Sequence, residues 1–254
     1  AGGDGAAPIA VETGRTLTVA VPEEGLLAAQ NLEYAPALDP FDVEAFLRSI
    51  DSDLADYAVE RGERRIRFAG LVSAAAERHA VNPRVLLILM ELATGVVSAP
   101  SPDMAMRAAG YPAGDAPDAE AQIERLAATL SGHYVAAFMG DEPMAVRGPG
   151  GDVVSVTTGD PAPAAIARTL AETLPHAELG AAVAGPRPGF ADLYRRWFGD
   201  PREIPAFALG VSLPPDAAWP FEGSKRHTGG PHVGSFCSQQ EILAASGLDF
   251  GGES

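Results

Sequence analysis

Apolar residues recur at helical spacing over the middle of this chain and at strand spacing only in short pieces. The first helical stretch opens at Asp39-Pro40, where the aspartate suits a cap and the proline the first helical position. Phe41, Val43, Phe46, Leu47 and Ile50 give it one apolar face. A second helix is predicted from about Arg67 to His79, with Phe68, Leu71, Val72 and Ala75 at i, i+3, i+4 and i+7. Ala80-Val81-Asn82 interrupts the pattern and Pro83 opens a third helix. Its run from Val85 to Met90 is apolar all round, so this helix is expected at the centre of the domain. A longer helix is expected from Pro117 to about Phe138, with Ile123, Leu126, Leu130 and Tyr134 as its seam. The looser stretch before it carries Met104 and Met106, read as fillers of core gaps.

Turn residues Gly148 to Asp152, followed by Val153, Val154 and Val156, predict a small hairpin within residues 146–159. Asp160-Pro161 starts another capped helix, with Ile166 and Leu170 facing inward. A last one spans Phe190 to Phe198, with Phe190, Leu193, Tyr194 and Trp197 on one side. Strand spacing marks two places. Thr16 to Val21 alternates, and is either a strand or part of a tether. Phe207, Leu209, Val211 and Leu213 alternate after the last helix, where the pattern changes to β. The resulting division is an arm or linker over 1–35, a helical domain over 36–205 and a second domain beginning at 206–254.

The 254 residues suffice for two domains, and 46% hydrophobic content supports a sizeable core. A net charge of -16 argues against nucleic acid, whose phosphates need clustered Lys and Arg, and against an anionic membrane surface. The apolar run Val85 to Met90 is far short of the ~20 residues that span a bilayer. One cysteine, Cys237, excludes an intrachain disulfide. The opening AGGDGAAP has neither Met nor a signal-peptide pattern, and both ends read as the edges of a fragment.

The order of helix, His79-Ala80-Val81-Asn82-Pro83, buried helix and Gly95 resembles the start of lysozyme-like lytic transglycosylases over about residues 65–97. The resemblance implies a Glu immediately before the small-Gly pair as general acid. Here that position is Ala93, which has no proton to transfer. Glu91 lies two residues earlier, about 200° around the helix, and points elsewhere. As a carboxylate on an apolar helix it is read either as paired with an Arg or a helix N-terminus, or as a catalytic acid. His79 is read as a helix C-terminal cation or cap.

The stretch Trp219 to Phe250 combines Trp219-Pro220-Phe221, the turn Thr228 to His232 and the short strand Leu248-Asp249-Phe250. It resembles the start of the M23, or LasA-type, zinc metallopeptidases that cut peptidoglycan peptides. The resemblance implies zinc held by His232 and Asp249, with further site residues in an H-x-H segment downstream. A catalytic zinc takes about three protein ligands and an open position for water. None of His79, His133, His176, His227 and His232 forms an H-x-H, so the chain carries half of such a site. His227 and Cys237 are further donors without a place in the resemblance. The same residues also suit a plain Gly-Gly-Pro loop and a turn-capping aspartate.

The expected fold is mainly α, a lysozyme-like helical domain with a small hairpin, followed by the incomplete start of an antiparallel β peptidase domain. The arrangement is similar to secreted bacterial, Chloroflexi-like proteins in which such a module precedes an M23 peptidase. It implies an extracytoplasmic, peptidoglycan-directed protein whose zinc endopeptidase is inactive in this chain alone. The alternative is a non-enzymatic glycan-binding or scaffold module with a degenerate lytic-transglycosylase fold.

Overall fold

A computed structural model gives the architecture. It describes residues 16–21, 26–36, 39–100, 106–140, 145–158, 160–184 and 189–204. The chain divides after Ile204. Residues 205–254, with the alternating stretch from Phe207 and the expected β peptidase segment, lie outside the described residues.

The domain is mainly helical with a few short strands. Helices α1 (Ala29–Leu32) and α2 (Val43–Ser49) come first. The start of α2 differs from the expectation at Asp39-Pro40: the cap is Asp42, whose side chain accepts from the Ala45 N–H at 2.9 Å. Asp39 is held instead by an ion pair with Arg84, whose guanidinium also lies over the Phe41 ring. Helix α3 (Phe68–His79) buries the predicted face and ends at Ala80, which takes a left-handed φ of 53°. Asn82 then caps α4 (Pro83–Thr94) by accepting from the Arg84 N–H at 3.0 Å. As the apolar run requires, every residue from Val85 to Met90 is buried.

Helix α5 (Ala119–Phe138) starts two residues after the expected Pro117, because Asp118 is the cap. Its seam of Ile123, Leu126, Leu130 and Tyr134 is buried. Helix α6 (Pro161–Thr173) begins at the predicted Asp160 cap and is enclosed along most of its length. It packs against α4, α5 and strands β4 (Val146–Arg147) and β5 (Val153–Thr157), with α7 (His176–Ala184) beyond it. The last helix, α8 (Phe190–Phe198), has the predicted bounds.

Two small sheets complete the domain. Strands β2 (Ala58–Arg61) and β3 (Arg64–Arg67) form a hairpin that leads directly into α3. Strands β4 (Val146–Arg147) and β5 (Val153–Thr157) form the hairpin expected from the glycine-rich turn, in which Gly151 takes a φ of 83°. Strand β1 (Thr16–Ala20) pairs in parallel with β5, Thr16 opposite Val153 and Ala20 opposite Thr157. The alternating piece in the arm is therefore a strand of the helical domain's sheet and not a tether. Met106 is also not the core filler expected: it is 40% exposed, with its sulfur 3.8 Å from the Tyr57 hydroxyl.

The two ends of the described domain are joined. Asn31 donates from Nδ2 to the carbonyls of Pro201 (2.8 Å) and Glu203 (2.9 Å), and the Ala28 N–H donates to Pro201 as well. Aromatic rings of α8 close over α2 and the residues just before it: Phe198 meets Phe41 edge-on at 5.5 Å and Phe46 at 4.8 Å, and Trp197 meets Phe46 at 5.5 Å. Such ring pairs add about 0.5–1.5 kcal/mol each beyond their buried area.

Candidate functional site

The C-terminal end of α4 is where the glycosidase-like reading puts its chemistry. Glu91 is half-buried there and accepts three hydrogen bonds. The Val97 and Ser98 N–H groups donate to Oε2 at 3.0 Å each, and the Ser98 hydroxyl donates to Oε1. The carboxylate has partners, as expected of one on an apolar helix, but they belong to the turn that follows and are neither an arginine nor a helix N-terminus. Its geometry fixes the exit of α4.

Backbone passes beside position 93, which is itself half-buried. The segment of residues 108–110 lies across the end of α4. Thr94 Oγ1 donates to the carbonyls of Met90 (2.9 Å) and Ala108 (3.1 Å). Gly110 has a φ of 81°, and a Cβ added to it would stand 3.4 Å from that of Ala93 and 3.6 Å from that of Thr173. Tyr111, next in sequence, is fixed by Gln122, which accepts from its N–H at 3.0 Å and donates to its carbonyl at 2.8 Å. Burial pushes the Tyr111 hydroxyl up to about 12.

His79 lies in the last turn of α3, where a cation suits the helix dipole. Its Nε2 is 2.7 Å from Oε1 of Glu124, and Arg78 binds the other oxygen of the same carboxylate. Burial raises the Glu124 carboxyl, but the hydrogen bonds from Arg78 and His79 outweigh it and hold the group below its ordinary value. The pattern ties α3 to α5. A second such tie was not read from the sequence: His133 Nε2 is 2.8 Å from Glu172 Oε1, joining α5 to α6 with the imidazole buried. Its signal was present, since His133 falls three residues after Leu130 on the apolar seam of α5. His176 is exposed at the start of α7, beside a pocket of about 330 Å³ between the β4–β5 turn and the α6–α7 junction. Asp152, Val154, Ala171 and Leu174 also line it.

The expected metal ligands His232 and Asp249, together with His227 and Cys237, lie outside the described residues. Among the described residues no group of three or more His, Cys, Asp or Glu side chains is placed to hold a metal ion. By donor type, an imidazole nitrogen and a carboxylate oxygen both suit zinc. Among the described residues no helix is long and apolar enough to cross a membrane.

Comparison with curated proteins gave no match, and comparison with solved structures gave none. The family model for "LasA, N-terminal domain" matches residues 25–213. That span takes in every described helix and the hairpins that lie between them. The chain belongs to the LasA N-terminal domain family.

Proposed function

We propose that this chain is part of a secreted, peptidoglycan-directed protein of the LasA type. Its helical domain, lysozyme-like in descent, holds or positions wall glycan. The segment 206–254 begins an M23 zinc endopeptidase in which His232 and Asp249 hold the metal. One observation carries this reading: the LasA N-terminal domain match ends at residue 213, and the Gly-Gly-Pro-His element (229–232) and the Leu-Asp-Phe element (248–250) of the peptidase resemblance both lie in the stretch that follows it. When bound, zinc lowers the pKa of its water toward neutrality and polarises the peptide carbonyl. The chain's own part is to present one neutral imidazole and one carboxylate at the metal. A third ligand and a proton-transferring group come from the H-x-H segment that the resemblance places downstream.

A second reading, a non-enzymatic glycan-binding module, is favoured by the end of α4. Alanine stands where a lytic transglycosylase has its acid, and Gly110 packs beside that alanine. Digestion of purified cell walls separates the readings. The protein continued through the H-x-H segment should release cross-bridge peptides and leave glycan strands intact, and His232→Ala should stop the release. Glycan fragments lost on Glu91→Gln would instead make the helical domain a muramidase. Wall binding without any release, unchanged by His232→Ala, would leave the binding module.

A further inference from the structure

Arg168 stands in the middle of α6, the most enclosed helix of the domain, and is only 4% exposed. Its Nε and Nη1 atoms have no hydrogen-bond partner among the described residues. These two atoms carry three of the five N–H donors of a guanidinium. The nearest acid along the helix, Glu172, is one turn away and committed to His133. Asp160 is committed to capping the helix through the Ala162 N–H. Burial lowers the guanidinium from its ordinary value, and among the described residues neither an acid nor a second cation contributes. An arginine stays charged even so. A buried charge without a counter-charge is among the least favourable arrangements a fold can hold. Of the α6 residues beside it, Ala164, Ala165, Ala167 and Ala171 are buried and small, and Thr169 and Glu172 complete the set. The alanines crowd the guanidinium less than larger side chains would.

We propose that Arg168 anchors an internal binding site for a small oxyanion of the carboxylate class. The planar fork of a guanidinium matches a carboxylate in shape and charge. A monoanion balances the one cation present. The guanidinium's low exposure limits the ligand to a few heavy atoms and excludes a polymer or a folded partner. The site is independent of the peptidase reading, because it lies wholly within the helical domain.

Acetate is the probe and inorganic phosphate the comparison, each against chloride at equal ionic strength, on the whole chain. The Nε–H resonance of Arg168 in a nitrogen–proton correlation spectrum should move on acetate titration and saturate. The thermal midpoint should rise with acetate over the same range, because a ligand that binds only the folded state stabilises it by mass action. Arg168→Met should abolish the acetate-specific rise, and in chloride alone it should melt no lower than the wild type. A resonance and a midpoint indifferent to acetate would overturn the proposal and leave a site filled by water. An equal rise in Arg168→Met would reduce the effect to an adventitious ion only, which also overturns it. A response to phosphate without one to acetate would overturn the carboxylate assignment. Should Arg168→Met fail to fold, the wild-type resonance decides.

Discussion

Glu124 receives Arg78 and His79 at once, and that double contact sets its charge behaviour. Its folded value lies below the ordinary one, so its contribution is present above the unfolded value of about 4.3 and is lost as pH falls through the folded value. Glu124→Gln should therefore be less stable than the wild type at neutral pH, with the gap closing below about pH 4; urea melts across pH read it. A gap that widens in acid would contradict the assignment. Glu91 makes a different case. Its three accepted bonds hold the turn at Val97 and Ser98, so Glu91→Ala should cost about 1–3 kcal/mol, measured by chemical denaturation. The need of Glu91 for a partner was legible in the sequence. The partner was not, because backbone N–H groups in a turn leave no mark in residue identity. The same holds for position 93. Sequence shows the missing acid, but only the fold shows that Gly110 lies beside it.

Helix starts followed local chemistry where no distant group intervened. Asn82-Pro83 and Asp160-Pro161 both open helices as cap and first position. Asp39-Pro40 has the same form and does not, because Arg84, 45 residues away, takes the carboxylate. Asp42 caps α2 in its place, so Asp42→Ala should lower stability by about 1 kcal/mol through loss of the cap. The β2–β3 hairpin was not anticipated. Its sequence, AVERGERRIR, is mostly charged, and only Val59 and Ile66 pack against the core. Helix α7 was missed for a related reason, since HAELGAAVA has alanines where a periodic pattern needs larger side chains. Helix α4 was legible throughout, because an uninterrupted apolar run flanked by Asn-Pro and Gly admits few other structures. Leu87→Ala within it should cost about 2–5 kcal/mol in a denaturation experiment, as fully enclosed leucines do.

At the scale of the whole molecule, the sequence conveyed class better than connection. Mainly helical architecture and a last helix ending at Phe198 followed from periodicity. The parallel pairing of β1 with β5 did not, since those strands lie more than a hundred residues apart and periodicity carries no partner. The pairing makes residues 16–20 part of the domain, and the Asn31 bonds to Pro201 and Glu203 tie its beginning to its end. The functional account joins this LasA-family domain to a zinc-binding start of a peptidase, and zinc binding tests that joint most directly. Zinc should bind the chain weakly through two ligands, and tightly, at one equivalent, once the reading frame continues through the H-x-H segment. His232→Ala and Asp249→Ala should each weaken the tight site by an order of magnitude or more, read by competition with a chelating dye. Binding by neither form, or tight binding indifferent to both substitutions, would contradict the account.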